Sequence, residues 1–319
     1  MIGQAWTRRH VLATDDWSRA EIEMVLEQTD VMLPVLTDPN RTVRRTPALR
    51  GRTVVLFFAE ASTRTRVSFE LAAKALSADV VNVTTAGSSV EKGESLFDTV
   101  RTLEALGGEI LVMRHAASGA AQFVADRVTS AVINAGDGWH AHPTQGLLDA
   151  FTLRTQLGDL AGKRIVILGD VLHSRVARSD IHTLVPLGAR ITLSGPPTLV
   201  PVAWRCGQLP EGVVYEPDAD RALAGADAVI ALRLQRERQE SGLLPSLREY
   251  ARAWGLSEER VALMRQGAPV LHPGPMNEGI EIAASVAHGS RSLIERQVTN
   301  GVAVRMAVLW LLASSPVTA

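Results

Sequence analysis

The chain predicts an α/β protein of two domains, each a parallel β-sheet flanked by helices. Short apolar, partly β-branched runs alternate with stretches of helical periodicity, and that alternation begins afresh after one central helix. A length of 319 residues suits two domains of ordinary size.

An opening helix is expected over 17–36, with Ile22, Val25, Leu26 and Met32 on its apolar side and Asp16 as its cap. Strands are expected at Thr53–Phe58, Asp79–Val83, Glu109–Met113 and Ala131–Asn134, separated by helices near 64–77, 94–107 and 118–127. That rhythm gives parallel strands joined by helical crossovers. A second set runs through Arg164–Leu168, Arg190–Ser194, Gly212–Tyr215, Asp227–Leu232 and Pro269–Leu271. The hinge falls in an interdomain helix, Pro143–Leu157, because proline suits a first helical turn and Gly158 a stop. A C-terminal helix over 291–313 is expected to return to the first domain. The expected division is therefore 1–148 plus 293–319 for one domain and 149–292 for the other.

Composition narrows the function. Hydrophobic residues make up 46% and charged residues 21%, a soluble balance, while a net charge of −1 and 4% aromatic residues argue against a nucleic-acid surface. The N-terminus has no apolar core of a signal peptide, and Val302–Ala313 is too short to span a bilayer and contains Arg305. A cytoplasmic protein without membrane contact is expected. Cys206 is the single cysteine, so no intrachain disulfide can form. No Cys/His cluster has zinc spacing, and neither a metal nor an organic cofactor is expected.

The most informative segment is Phe58-Ala-Glu-Ala-Ser-Thr-Arg-Thr-Arg-Val-Ser-Phe-Glu70. A buried strand hands over near Ser62 to a helix with Val67, Leu71, Ala72, Ala75 and Leu76 at three- and four-residue spacing. Free N–H groups and the positive dipole end favour an anion there, and Ser62, Thr63, Arg64 and Thr65 add convergent donors. The guanidinium fork suits a phosphoryl group. An ordinary cap with solvated arginines is the competing reading; Glu60, Arg64, Arg66 and Glu70 in one block turn the balance to a phosphate cradle.

Other segments are weaker singly. Ser88-Ser-Val-Glu-Lys-Gly-Glu94 fails the phosphate-loop test because its Gly-Lys order is reversed, and reads as a polar loop presenting Ser88 and Lys92, with a solvated loop lysine at least as good a reading. Arg114-His115 closes a strand at an edge where ligand groups gather, although a surface end-cap reads equally well. His142, before Pro143, stands at a helix start with Gln145 one turn further in. A neutral imidazole there can donate to a developing oxyanion, and Gln145 can accept from an NH2 group; for an isolated histidine, a satisfied residue at the helix start is the stronger reading. His140 and His142 are two apart, which does not suit zinc on a helix. Gly169 is followed by Val171 and Ser174 where a dinucleotide fingerprint needs glycines, leaving a βα turn with Arg175 at a helix start. In the next candidate strand, Leu232-Arg-Leu-Gln-Arg-Glu237, Arg233 and Gln235 alternate to share a direction, although charge alternation on an edge strand is a fair reading too. Finally, His272-Pro-Gly-Pro275 makes a stiff turn whose carbonyls can accept from an NH2 group or merely shape a loop. Cations at strand ends, helix starts and loops of a nearly neutral chain fit substrates rich in phosphate and carboxylate, and so transfer of an activated acyl group.

Ser62-Thr-Arg-Thr-Arg66, His142-Pro-Thr-Gln145, Arg233-Leu-Gln235 and His272-Pro-Gly-Pro275 resemble, in order and approximate spacing, the motifs of the aspartate carbamoyltransferase catalytic chains, within the wider aspartate/ornithine carbamoyltransferase family. The likeness covers nearly the whole chain. It implies a carbamoyl phosphate-binding first domain and an aspartate-binding second domain, and transfer of the carbamoyl group to L-aspartate in pyrimidine biosynthesis. It implies that Ser62, Thr63, Arg64, Thr65 and Arg114 hold the phosphate, with Thr65, Arg114 and His142 polarising the carbonyl. Gln145 and the carbonyls of Gly274 and Pro275 would orient the NH2, and Lys92, Arg175, Arg233 and Gln235 would bind aspartate. In the family, Ser88 and Lys92 come from the neighbouring subunit of a homotrimer with shared active sites, which leaves room for a regulatory chain or a dihydroorotase-like protein in a larger assembly. Glu278 departs from the Arg that many bacterial relatives carry, and is expected either to weaken aspartate affinity or closure, or to pair with an arginine. Two alternatives stay open: a carbamoyltransferase for another amine such as ornithine, and a non-catalytic ligand-binding homologue.

Overall fold

Local sequence sets the boundaries of the first helix, α1 (Arg19–Thr37), which is capped by Ser18 and not by Asp16. Ser18 accepts from the Glu21 N–H, while Glu21 accepts from the Ser18 N–H at 2.8 Å, the reciprocal box that Ser-x-x-Glu permits. Asp16 is taken by the Arg8 guanidinium at 2.8 and 2.9 Å. An ion pair thus removes the carboxylate that the sequence offers as a cap.

The computed structural model describes residues 6–84, 95–235, 243–244 and 246–314. After α1 the chain forms β1 (Thr53–Phe58), α2 (Thr63–Ala75), β2 (Asp79–Thr84), α3 (Leu96–Ala105), β3 (Ile110–His115), α4 (Ala120–Ala125) and β4 (Ala131–Asp137). These strands are parallel in the order β2-β1-β3-β4. Then follow α5 (Pro143–Leu157), β5 (Arg164–Leu168), α6 (Arg175–Leu184), β6 (Arg190–Ser194), α7 (Val202–Arg205), β7 (Val213–Tyr215), α8 (Ala219–Leu223) and β8 (Ala228–Ala231). The chain continues through α9 (Leu247–Trp254), α10 (Glu258–Leu263), β9 (Val270–Leu271), α11 (Ala284–Ala287) and α12 (Ile294–Ser314). The second sheet is also parallel, in the order β7-β6-β5-β8-β9.

Two compact units result: Met1–Leu147 with Thr299–Ala319, and Leu148–Val298. In the first, Val55, Phe57, Leu111 and Met113 alternate along their strands and pack with Val100, Ala121 and Val124 of the covering helices. In the second, Val166, Leu168, Val229 and Ala231 meet Leu223, Val261 and Ile282. Both α5 and α12 pass from one unit to the other. The later part of α12 belongs to the first unit, where buried Arg305 donates to Ser68 of α2 at 2.8 Å and lies 5.0 Å from the Phe69 ring centre. No helix among the described residues is long and apolar enough to cross a membrane.

Several strand ends differ from expectation: β4 runs on from Asn134 to Asp137, and two others bear directly on the candidate site. β3 continues through His115, because Arg114 pairs with Phe58 of β1 and, past a bulge, His115 pairs with Asp137 of β4. β8 stops at Ala231, so Arg233 and Gln235 lie beyond the strand and not within it. The Leu232 N–H still reaches Leu168 at 2.7 Å, but the Gln235 N–H turns to the Asp170 carboxylate at 3.4 Å. Side-chain alternation survives, since Leu232 and Leu234 are fully buried while Arg233 and Gln235 are partly exposed.

Each sheet has one point where the order of strands reverses. In the first it lies between β1 and β3, in the second between β5 and β8. Crossovers leave in opposite directions there, opening a crevice at the carboxyl ends of the strands.

Candidate active site

The first unit gathers its expected site residues at one sheet edge. Ser62–Thr65 follow β1, Arg114 ends the adjacent β3, and His142 and Gln145 follow β4. Ser62 is the N-cap residue of α2, in extended conformation, and its hydroxyl makes no capping bond. The first turn of α2 holds no acid but carries Arg64. By contrast, α1, α3, α9 and α10 each begin with a serine that accepts a backbone N–H and with an acid in the first turn. An arginine at a positive helix end is unfavourable unless an anion joins it. The α2 start thus differs from those four in both its cap and its first-turn charge.

Arg114 is mostly buried, and among its contacts Glu60 accepts at 2.7 Å and the Ala135 carbonyl at 3.3 Å. Glu60 fixes the guanidinium plane and offsets part of its charge before any ligand arrives. His142 is buried, and its carbonyl accepts from the Gln145 N–H at 2.8 Å, closing the first turn of α5. The loop before it is organised by Asp137, which accepts from Asn134 at 2.8 Å, Gly119 N–H at 2.7 Å, Ala141 N–H at 3.1 Å and His140 at 3.0 Å. Burial works against the Asp137 charge, but the bonds from His140, Asn134 and Gly119 outweigh it and hold the carboxyl below its usual range.

The second unit repeats the pattern. Arg175 follows β5, Arg233 and Gln235 follow β8, and Gly274 and Pro275 follow β9. Arg175 is the first residue of α6, whose first turn again holds no acid, and Ser174 caps the Ala177 N–H at 3.1 Å. Fully buried Asp170 accepts from the His173 ring at 2.8 Å, the His173 N–H at 3.2 Å and the Gln235 N–H. That carboxylate ties the turn bearing Arg175 to the segment bearing Arg233 and Gln235. Gly169, at φ 128°, admits this turn: a Cβ there would lie 2.8 Å from the Tyr250 hydroxyl.

His272 braces its loop by accepting the Gly274 N–H on Nδ1 at 2.8 Å. Nε2 then carries the hydrogen and faces Glu281 at 3.3 Å. Glu281 also accepts from the Asn277 N–H at 2.5 Å and side chain at 3.1 Å. The Gly274–Pro275 peptide is cis. Glu278 pairs with exposed His288 at 3.0 Å, and among the described residues no arginine pairs with it.

Ser88 and Lys92 lie outside the described residues. Glu60, which holds Arg114, Asp170, which holds the Gln235 backbone, and Glu281, which holds the loop of His272 and Asn277, are not site candidates in the sequence. Glu60 belonged to a block read for its charge, Asp170 followed a conspicuous Gly169, and Glu281 had no local signal.

Two α/β units, each with cations at the reversal point of a parallel sheet, define a class of transferase that handles two anionic reactants. Comparison places the chain within that class. Residues 9–155 match the family model described as aspartate/ornithine carbamoyltransferase, carbamoyl-P binding domain, and residues 161–312 match the Asp/Orn binding domain of the same family. The aspartate carbamoyltransferase catalytic subunit of Chloroflexus aurantiacus is 57% identical over 308 residues, covering 96% of this chain and 98% of that one. That of Dehalococcoides mccartyi is 52% identical over 314 residues, covering 98% and 94%. The Trypanosoma cruzi aspartate transcarbamoylase, solved in complex with N-(phosphonacetyl)-L-aspartic acid, superposes with a TM-score of 0.84 at 29% identity, covering 96% of each chain. The chain belongs to the aspartate/ornithine carbamoyltransferase family.

Proposed function

We propose that this chain transfers the carbamoyl group of carbamoyl phosphate to the amine of L-aspartate, giving N-carbamoyl-L-aspartate and phosphate. The observation that carries the reading is the pair of helix starts that bear an arginine and no acid, α2 with Arg64 and α6 with Arg175. The high identity to catalytic subunits of that name supports it.

The first unit takes carbamoyl phosphate. Ser62, Thr63, Arg64, Thr65 and Arg114 bind its phosphate, and Thr65, Arg114 and His142 donate to its carbonyl oxygen. Gln145 and the carbonyls of Gly274 and Pro275 accept from its NH2. The second unit takes aspartate through Arg175, Arg233 and Gln235, with Lys92 completing the set. Ornithine, with a cationic side chain, gains nothing from those arginines.

The neutral amine nitrogen attacks the carbamoyl carbon. A C–N bond forms, the C–O bond to phosphate breaks, and the leaving phosphate accepts the amine proton. Negative charge grows first on the carbonyl oxygen and then on phosphate. Fixed guanidinium groups and N–H donors stabilise that growth without reorganising.

Ser88 and Lys92 are supplied by a neighbouring copy in a homotrimer, in the cytoplasm, as an early step of pyrimidine synthesis. The test is formation of the ureido product from carbamoyl phosphate with aspartate, with ornithine, or with neither. Turnover with ornithine alone, or with neither amine, overturns the assignment. Mixed Arg64→Ala and Lys92→Ala chains should regain activity as hybrid trimers; inactive verified hybrids would remove subunit sharing.

A further inference from the structure

A relay of buried polar groups lies within the second unit and takes no part in the roles assigned above. Asp180 on α6 and Asp149 on α5 are both fully buried. Among the described residues, no N–H or hydroxyl group donates to either oxygen of Asp180. The Asp149 carboxyl is the neighbour that bears on it, through its charge and through its side chain. Two carboxylates in such contact, away from water, cannot both be charged, so one proton must lie between them.

The surrounding bonds decide which residue carries it. Gln297 of α12 accepts the His272 N–H on Oε1 at 2.9 Å and donates from Nε2 to Asp149 Oδ1 at 2.6 Å. A backbone N–H can only donate, so the Gln297 amide cannot turn round. Asp149 Oδ1 is therefore held as an acceptor and receives a donor that stabilises charge, whereas neither oxygen of Asp180 receives one among the described residues, so the proton is assigned to Asp180. The relay Asp180–Asp149–Gln297–His272 joins three helices to the first residue of the His-Pro-Gly-Pro loop. At its other end Asp180 sits on the helix that opens with Arg175.

We propose that Asp180 is a positioning residue for the transfer: a neutral carboxylic acid whose proton, given to Asp149, locks the start of α6 and the His272–Pro275 loop into one arrangement. The claim to catalysis rests on the function proposed above; the claim that Asp180 is protonated does not. Burial, and then the negative charge of Asp149, push the Asp180 carboxyl well above the ordinary carboxylate range. Asp149 is the titratable group whose charge bears on it.

The sign of the pH effect follows by linkage. The folded state keeps a proton that the unfolded chain releases near the ordinary carboxylate value. Stability attributable to Asp180 therefore falls as pH rises from that value up to the raised folded one. Asparagine has the same shape and supplies an N–H donor with no titration. The stability gap between Asp180→Asn and the wild type should widen with pH in favour of Asn, and shrink toward pH ~4.

The experiment compares the wild type, Asp180→Asn, Asp180→Ala and Gln297→Met in the full-length protein. Infrared spectra at neutral pH should show the carbonyl band of a protonated carboxyl in the wild type that Asp180→Asn lacks. Asp180→Asn should keep kcat and the aspartate KM within about threefold of wild type, while Asp180→Ala and Gln297→Met should each lose ~tenfold or more in kcat/KM, equivalent to one pKa unit of interaction. Where Asp180→Ala does not fold, Gln297→Met carries the kinetic arm.

Absence of the infrared band, or a stability gap that does not grow with pH, overturns the protonated acid. Asp180→Asn as impaired as the alanine variant, or Gln297→Met with wild-type kinetics, overturns the positioning role. A wild type that fails to carbamoylate aspartate sinks the functional reading instead, and leaves the spectroscopic and stability arms to decide the protonation by themselves.

Discussion

Replacing Asp170 probes the second unit without touching a residue assigned to substrate. Its buried carboxylate accepts from the His173 ring at 2.8 Å, from the His173 N–H at 3.2 Å and from the Gln235 N–H at 3.4 Å. Alanine removes all three and strands buried donors. One good bond and two long ones, each costing roughly 1–3 kcal/mol when a buried donor is left unmet, give a loss of about 3 kcal/mol. For a unit of this size that lowers Tm by roughly 6–12 °C. Asparagine keeps one acceptor oxygen toward His173 but turns an NH2 group toward the Gln235 N–H, so it should cost about 1 kcal/mol. In both variants the segment holding Arg233 and Gln235 loses its tether to the turn before Arg175. The aspartate KM should rise several-fold while the carbamoyl phosphate KM stays near wild type. Steady-state kinetics with each substrate varied in turn, beside thermal melts, measure this. An unchanged aspartate KM with a raised carbamoyl phosphate KM would refute the assignment of this unit to aspartate.

Three further outcomes are expected. Arg64→Ala should lose ~100- to 1,000-fold in kcat, about 2.7–4 kcal/mol of barrier, with little change in Tm; near-normal turnover would show that α2 does not face the developing charge. Glu21, held by hydrogen bonds from Arg8 and Ser18, has its carboxyl lowered from 4.5 to about 2, so its contribution to stability is complete above pH 4.5 and is lost as pH falls toward about 2. Urea titrations of the wild type and Glu21→Gln should therefore converge across that window, and a constant gap would contradict the assigned shift. Arg305→Ala removes a buried bond to Ser68 and a cation over Phe69, and should destabilise the protein by about 2–4 kcal/mol in calorimetry without altering the aspartate KM.

The strands were legible because their apolar runs are local. β1, β5 and β6 begin and end where the β-branched runs do, and α5 opens at Pro143 and closes at Leu157 as the proline and glycine signals require. The principal anion-binding candidates were legible for the same reason, since Ser62-Thr-Arg-Thr-Arg66 carries its own helix start. What failed was competition across the fold. Asp16 lost the cap of α1 to Ser18 because Arg8 claimed it, and beyond the end of β8 the Gln235 N–H goes to Asp170 and not to a neighbouring strand.

Sequence alone determined the two α/β units, the positions of the cationic helix starts and the family, because periodicity, capping chemistry and motif order act over a few neighbouring residues. Tertiary structure decided how those groups are held. Glu60 meets Arg114 across 54 residues and Asp170 meets Gln235 across 65. It also made Asp180 a neutral acid, since only burial against a second carboxyl, at a place no local pattern specifies, can make a charge cost more than a proton.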